Sequence, residues 1–274
     1  MSMLDAEVVQ EYIRMCDDGW LQGWHERNAG NLTYRLTEAE VEECEIYFDY
    51  TDDWVEMDIS VENLAEEFFI TTGAGKYFRN IALDAEDCLG VVEINEDGDA
   101  YRVVWGFSGG AVPTSEFPSH MLNHSIKKEA TDGLNRIIYH AHPEAIVSLT
   151  SILPLTAKAF SSALWRTITE CPIVFPAGVG VVEWMMPGAG EIAVKTSELM
   201  ETFDAVVWAA HGMFVSGATF DLAFGLMHTI EKSARIYLNT ISAGKRSLRT
   251  ITDTQLRDIA ETFDLVDFNY SLLD

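Results

Sequence analysis

The chain has 274 residues, of which 44 are acidic and 18 basic, giving a formal net charge of −26; 48% are hydrophobic and 11% aromatic. That apolar share buries a substantial core, so global disorder is excluded despite the charge. The same charge excludes a broad nucleic-acid surface and docking on anionic lipid, and no stretch reaches the ~18 apolar residues of a membrane span.

The opening residues MSMLDAEVVQEYIRMCDDGW have no basic region leading into an apolar one, so they do not read as a signal peptide. The expectation is a soluble, cytoplasmic protein. Val9, Tyr12, Ile13, Cys16 and Trp20 recur at helical spacing and predict an amphipathic helix over roughly 5–23. Leu32, Tyr34 and Leu36 alternate like a strand. Between Arg35 and Lys76 there is no basic residue, and 13 acids fall within 37–67, leaving −13 for the rest of the chain. This segment reads as a solvated, acid-coated excursion at the periphery.

Phe68–Thr71 predicts a short strand running into Thr72-Gly73-Ala74-Gly75, and 90–95 with 100–107 form a hairpin across Glu96-Asp97-Gly98-Asp99. Residues 115–130 predict a helix, 137–142 a strand stopped by Pro143, and 144–170 further helix. Strands are expected at 173–175, 179–184 and 205–210. Helices are expected at 189–202, along the i, i+4 stripe of Leu222, Leu226, Ile230, Ala234, Tyr237 and Ile241, and at 253–263. The expected fold is α/β, a single domain over 1–274 with a largely antiparallel or mixed central sheet covered by helices. Four cysteines, Cys16, Cys44, Cys88 and Cys171, lie far apart without a CxxC and read as reduced, mostly buried thiols.

On a strand, residues i and i+2 share a face, so His140 and His142 project together from its C-terminal end. Two neutral imidazoles side by side suit a divalent cation, and His211, also ending an apolar strand, offers a third. Glu116, His120 and His124 form a rival set at i, i+4, i+8. Here the two histidines read as helix-face imidazoles hydrogen-bonded beneath the site. Glu116, at the helix start, reads as a base or a fourth metal contact. His25 and His228 read as structural.

Three segments suit an anion: 27–31, 72–76 and Thr114-Ser115. Nucleotide motifs fail, because Ile70 and Tyr77 break a Walker A pattern and Phe78 breaks GxGxxG.

Together these residues carry a resemblance. WLQGWHERN (20–28), Gly30-Asn31-Leu32-Thr33, TGAGKYFRN (72–80), VPTSE (112–116), the HxH pair, the Glu170–Gly180 stretch, Trp184–Gly188, His211–Phe214 and Phe224-Gly225-Leu226 resemble the rhamnulose branch of the class II aldolase/adducin-like superfamily. The resemblance implies a homotetrameric lyase of rhamnose metabolism. It would cleave L-rhamnulose 1-phosphate, a small sugar phosphate, to dihydroxyacetone phosphate and L-lactaldehyde with one Zn2+ per subunit. A sugar-phosphate 4-epimerase or an L-fuculose-phosphate aldolase on the same scaffold is the alternative. It further implies His140, His142 and His211 as zinc ligands and Glu116 as catalytic base. Gly30, Asn31, Thr72, Gly73, Thr114 and Ser115 would hold the phosphate, with Asn28 near the substrate hydroxyls. Glu170 would reach a neighbouring subunit's substrate. Ala74 departs from the hydroxyl-bearing residue expected in the TGxGK loop, removing one phosphate donor.

Overall fold

The computed structural model describes residues 2–186, 190–244 and 249–273. The chain divides into two units, Met1–Ala141 with Ser216–Ala223, and His142–Val215 with Phe224–Asp274.

The first unit starts with the predicted amphipathic helix, α1 (Glu7–Leu21), whose buried face carries Val8, Val9, Tyr12, Met15 and Cys16. Strand β1 (Asn31–Arg35) follows, then α2 (Glu38–Cys44), β2 (Val55–Glu56) and β3 (Phe68–Thr72). The short helices α3 (Phe78–Ile81) and α4 (Ala85–Cys88) lead to β4 (Leu89–Ile94) and β5 (Ala100–Gly106), and α5 (Phe117–Ala130) precedes β6 (Ile137–Ala141). These strands pair antiparallel throughout, β2 with β5, β5 with β4, β4 with β3, β3 with β1 and β1 with β6. The expected hairpin is β4–β5. Phe117 and Met121 of α5 pack on Phe69, Val92 and Ile94. That contact lays one face of α5 on the sheet.

The acidic segment is exposed along most of its length, as expected, but several of its acids are structural. Glu40 closes a capping box with Thr37 at the start of α2, and Glu67 pairs with Arg35 and Lys128 at 3.2 and 2.7 Å. Arg102 stacks its guanidinium over Trp54 and Tyr50, tying the segment's tip to β5.

The second unit contains α6 (Glu144–Leu149), α7 (Ala157–Trp165), α8 (Glu170–Val174), β7 (Gly180–Val182), α9 (Gly190–Met200) and β8 (Ala205–Trp208). Strand β9 (Gly212–Gly217) and α10 (Phe220–Ser242) span the division, and α11 (Asp253–Thr262) closes the chain. Here β7 and β8 are parallel while β8 and β9 are antiparallel, which makes the sheet mixed. Among the described residues no helix is long and apolar enough to cross a membrane.

Two expectations are corrected. Residues 173–175 were expected as a strand, yet 170–174 form α8. Pro172 sits in its first turn, where a missing N–H costs nothing, and Phe175 closes it by donating to the Cys171 carbonyl at 3.0 Å. Strand β9 was not expected. Its run Met213–Val215 is apolar and buried but lacks the alternation that marks a half-exposed strand. The predicted start of a helix at residue 189, and Pro187-Gly188 of the Trp184–Gly188 motif, lie outside the described residues.

Helix α6 opens directly after His142-Pro143, and no side chain of its own caps it. The buried carboxylate of Glu231, on α10, accepts from the Ala145 and Ile146 N–H groups at 3.0 and 2.9 Å instead. Glu231→Ala strands both donors in a buried setting and lowers stability by about 2–4 kcal/mol, read by urea unfolding.

Candidate active site and metal centre

The β1–β6 register sets Asn31 opposite His140 and Thr33 opposite Ile138. His140, at the end of β6, is 1% exposed, and its Nε2 lies 3.7 Å from Glu116 Oε2. Glu116 stands at the N-cap of α5 but makes no capping bond to its own helix. Its Oε2 accepts from Asn31 Nδ2 at 2.8 Å.

In the second unit His142 follows β6, and its ring meets the His211 ring edge to face with centroids 4.9 Å apart. His211 does not end a strand as expected. It is the last residue of the three-residue turn 209–211 between β8 and β9, whose register pairs Trp208 with Gly212. Ala210 takes a left-handed φ of 55° there, and its N–H donates to Thr150 Oγ1 at 3.0 Å. Trp208 backs the His211 ring at 5.1 Å and is itself held by Nε1 donating to Thr196 at 2.8 Å.

His140, His142 and His211 each offer one ring nitrogen, and these atoms lie within 4.8 Å of one another. Among the described residues this is the one group of three or more His, Cys, Asp or Glu so arranged. Three imidazoles at this separation fit a divalent cation with an open coordination position, which is the arrangement of catalytic rather than closed structural sites. The rival set does not form a cluster of this kind, because His120 and His124 turn toward Thr33 instead.

His120 Nδ1 and His124 Nε2 lie 2.7 and 2.8 Å from Thr33 Oγ1, and His120 Nε2 meets Asn31 Oδ1. Both rings are fully buried. Burial pushes the His120 imidazole down to about 3 and drives His124 well below its ordinary 6.5. Thr33 was missed in the sequence reading. Its signal is a polar pair, Asn31 and Thr33, at i and i+2 on a strand that is otherwise apolar.

A pH dependence follows. The folded chain keeps both rings neutral, whereas unfolding exposes groups that take protons below about 6.5. Their contribution is therefore complete above that pH and is lost as the pH falls, down to about 3 for His120. The unfolding free energy from urea titrations between pH 6.5 and 5, above most carboxylate titration, should fall by up to about 1.4 kcal/mol per pH unit for each ring.

The loops expected to hold an anion lie in the first unit. Gly73 bridges to Pro113, Thr114 donates to the Thr72 carbonyl at 2.9 Å, and Ala74 donates to the Val112 carbonyl at 2.8 Å. This pairing brings Thr72-Gly73 alongside Thr114-Ser115. The N–H of Gly73 is spent on the Cys88 carbonyl. What Gly73 contributes is space, since a Cβ would meet Lys76 and Phe107 at 2.9 Å. The hydroxyls of Thr114 and Ser115 remain as donors, whereas the buried Thr72 hydroxyl accepts from the Leu32 N–H at 3.3 Å and meets the Tyr12 phenol. Lys76 is paired with Asp87 at 2.5 Å.

Gly30 has φ +79°, and a Cβ there would lie 2.7 Å from the His140 carbonyl and against the His25 ring. His25 stacks on Phe78 at 3.6 Å, and its ring nitrogens meet the Ala29 carbonyl at 3.0 Å and the Tyr139 hydroxyl at 2.6 Å. It is structural as read, and it fixes the 25–31 loop. Asn28 is exposed on that loop, and Glu170 is exposed at the start of α8.

The class II aldolase and adducin N-terminal domain family matches residues 10–238. The chain is 42% identical over 264 residues to the rhamnulose-1-phosphate aldolase of Klebsiella pneumoniae subsp. pneumoniae, covering 96% of this chain and 95% of that protein. It is 40% identical over 271 residues to the rhamnulose-1-phosphate aldolase of an Enterobacter species, covering 99% and 98%. Among solved structures, a sugar-phosphate aldolase from Thermotoga maritima superposes with a TM-score of 0.75 at 28% identity, covering 88% of this chain and 97% of that one.

Proposed function

The chain belongs to the class II aldolase and adducin family, and from that premise we propose that it reversibly cleaves L-rhamnulose 1-phosphate to dihydroxyacetone phosphate and L-lactaldehyde. The observation that carries this reading is the cluster of three histidine nitrogens within 4.8 Å, in a chain 42% identical to a rhamnulose-1-phosphate aldolase.

His140, His142 and His211 are the residues that would hold the metal, with zinc the ion their all-nitrogen donor set favours. When bound, such an ion supplies Lewis acidity for the negative charge that carbon–carbon cleavage leaves on the three-carbon fragment. Glu116 moves the proton. It takes one from the C4 hydroxyl as the C3–C4 bond breaks, the bonding pair stays on C3, and the proton returns to C3. A carboxylate oriented by the Asn31 amide, and 3.7 Å from His140, suits this role because it stands near the ligands. Thr114 and Ser115 supply hydroxyls to the phosphate beside the Thr72-Gly73 backbone, Gly30 and Gly73 leave it room, and Asn28 meets the sugar hydroxyls. Glu170, exposed on α8, is available to a neighbouring subunit in a homotetramer. The family match over 10–238 runs through both units, which supports 1–274 acting as one catalytic domain. Four free, buried cysteines suit a reducing, cytoplasmic setting.

The test is a coupled assay with L-rhamnulose 1-phosphate and zinc that follows dihydroxyacetone phosphate. Release supports the reading. An epimeric sugar phosphate appearing without release overturns it, and faster release from L-fuculose 1-phosphate reassigns the substrate.

A further inference from the structure

Behind Glu116 the first unit holds a continuous line of polar side chains: Glu116, Asn31, His120, Thr33 and His124. The β1–β6 register puts Asn31 beside His140, and α5 lays His120 and His124, one turn apart, over the face of β1 that carries Asn31 and Thr33. We propose that His120 is a positioning residue for the base, its Nε2–H holding the Asn31 amide with the NH2 group turned toward the Glu116 carboxylate. This rests on the reading of Glu116 as the proton-transferring group.

The direction of every hydrogen bond in the line follows from its charged end. A carboxylate only accepts, so Asn31 must present its NH2 to Glu116 Oε2, at 2.8 Å. The Asn31 carbonyl oxygen then faces His120 Nε2, which must carry the proton. With Nε2 protonated and the ring neutral, His120 Nδ1 is an acceptor and takes the Thr33 hydroxyl proton, while the Ile138 carbonyl, which favours a ring N–H, also reaches this ring. The Thr33 oxygen, its proton committed, accepts from His124 Nε2–H. That leaves His124 Nδ1 as a bare lone pair, and it is the one ring atom of the line with no hydrogen-bond partner. A bare nitrogen costs less to bury unpaired than an N–H would, so the orphan sits where the chain of donors predicts it. Deep burial keeps both rings neutral.

An asparagine amide is nearly symmetric in shape and can flip. With its oxygen toward Glu116 it would set two acceptors against each other and push the carboxylate aside. The Glu116 carboxylate selects the setting with NH2 toward it, and a His120 Nε2–H on the Asn31 oxygen holds that setting. A side chain that supports a reacting group in this way is worth about 10- to 100-fold in activity when removed.

Two measurements test the assignment. Long-range 15N–1H spectra of the histidine-labelled, zinc-loaded protein should show His120 as the neutral Nε2–H tautomer at pH 7, and the Nδ1–H tautomer would overturn the proposal. This arm needs no substrate, so it stands whether or not L-rhamnulose 1-phosphate is cleaved. In the aldolase assay His120→Leu should lower kcat about 10- to 100-fold with KM and zinc content near those of the parent chain. His120→Gln, whose amide N–H falls where Nε2–H was, should recover most of that loss. Equal kcat for His120→Leu and the parent, or no recovery in His120→Gln, refutes the role. If His120→Leu does not fold, the near-isosteric Thr33→Val serves in its place. It removes the hydroxyl proton that Nδ1 accepts while the Ile138 carbonyl stays beside the ring, and it should lower kcat and give mixed tautomers. An unchanged spectrum and rate would refute the role.

Discussion

His142→Ala is expected to lose bound metal and aldol cleavage together. His142 follows β6, its ring lies against that of His211, and its nitrogen is one of three within 4.8 Å. Removing one of three imidazoles leaves two, too few to hold a divalent ion against water and buffer at neutral pH. Altering a group that merely supports a metal ligand costs about 10- to 100-fold, so loss of a ligand itself should exceed about 100-fold in kcat/KM. The fold should survive, because His142 is half-buried and the turn after it is anchored by Glu231 on the Ala145 and Ile146 N–H groups. Metal analysis of the purified variant, circular dichroism and the cleavage assay together decide the matter. Full activity in metal-free buffer would refute the site.

Glu116→Gln is expected to separate chemistry from metal binding. The amide keeps the shape of the side chain and can still accept from Asn31 Nδ2 through its oxygen. It cannot take up a proton at working pH. General acid–base catalysis by a placed side chain contributes about 10²- to 10⁴-fold, so kcat should fall by that factor. Zinc content should match the parent protein, since the three histidine nitrogens are untouched. If zinc is lost along with activity, Glu116 is a metal ligand first and the assignment of proton transfer to it fails.

The two variants divide along the same line as what was legible in the chain. His140 and His142 could be placed because strand alternation is local, and two residues suffice to state it. The hairpin 90–107 and helix α1 were legible for the same reason, since their partners are near in sequence. His211 was placed with the right companions but on the wrong element. Its three-residue turn depends on β9, a buried strand whose apolar run shows no period. Residues 173–175 failed because β-branched composition outweighed Pro172, whose meaning depends on being in a first helical turn. Thr33 and the pairing of 72–74 with 112–114 are products of register between distant strands and loops, which no local pattern states. The spacing of His120 and His124 marked them as imidazoles beneath the site, and only Thr33 and Asn31 show how they act there.

The cysteines acquire a meaning beyond the redox state of the compartment. All four are buried, and burial pushes each thiol up, Cys44 and Cys171 to about 11. A thiolate is the form that captures soft metal ions and adds to carbonyl carbons. Kept protonated and enclosed, these sulfurs do not compete with the imidazoles for a divalent ion. An enzyme that releases a free aldehyde at every turnover is also bathed in an electrophile of its own making. Holding its best nucleophiles out of reach lets the chain survive its product.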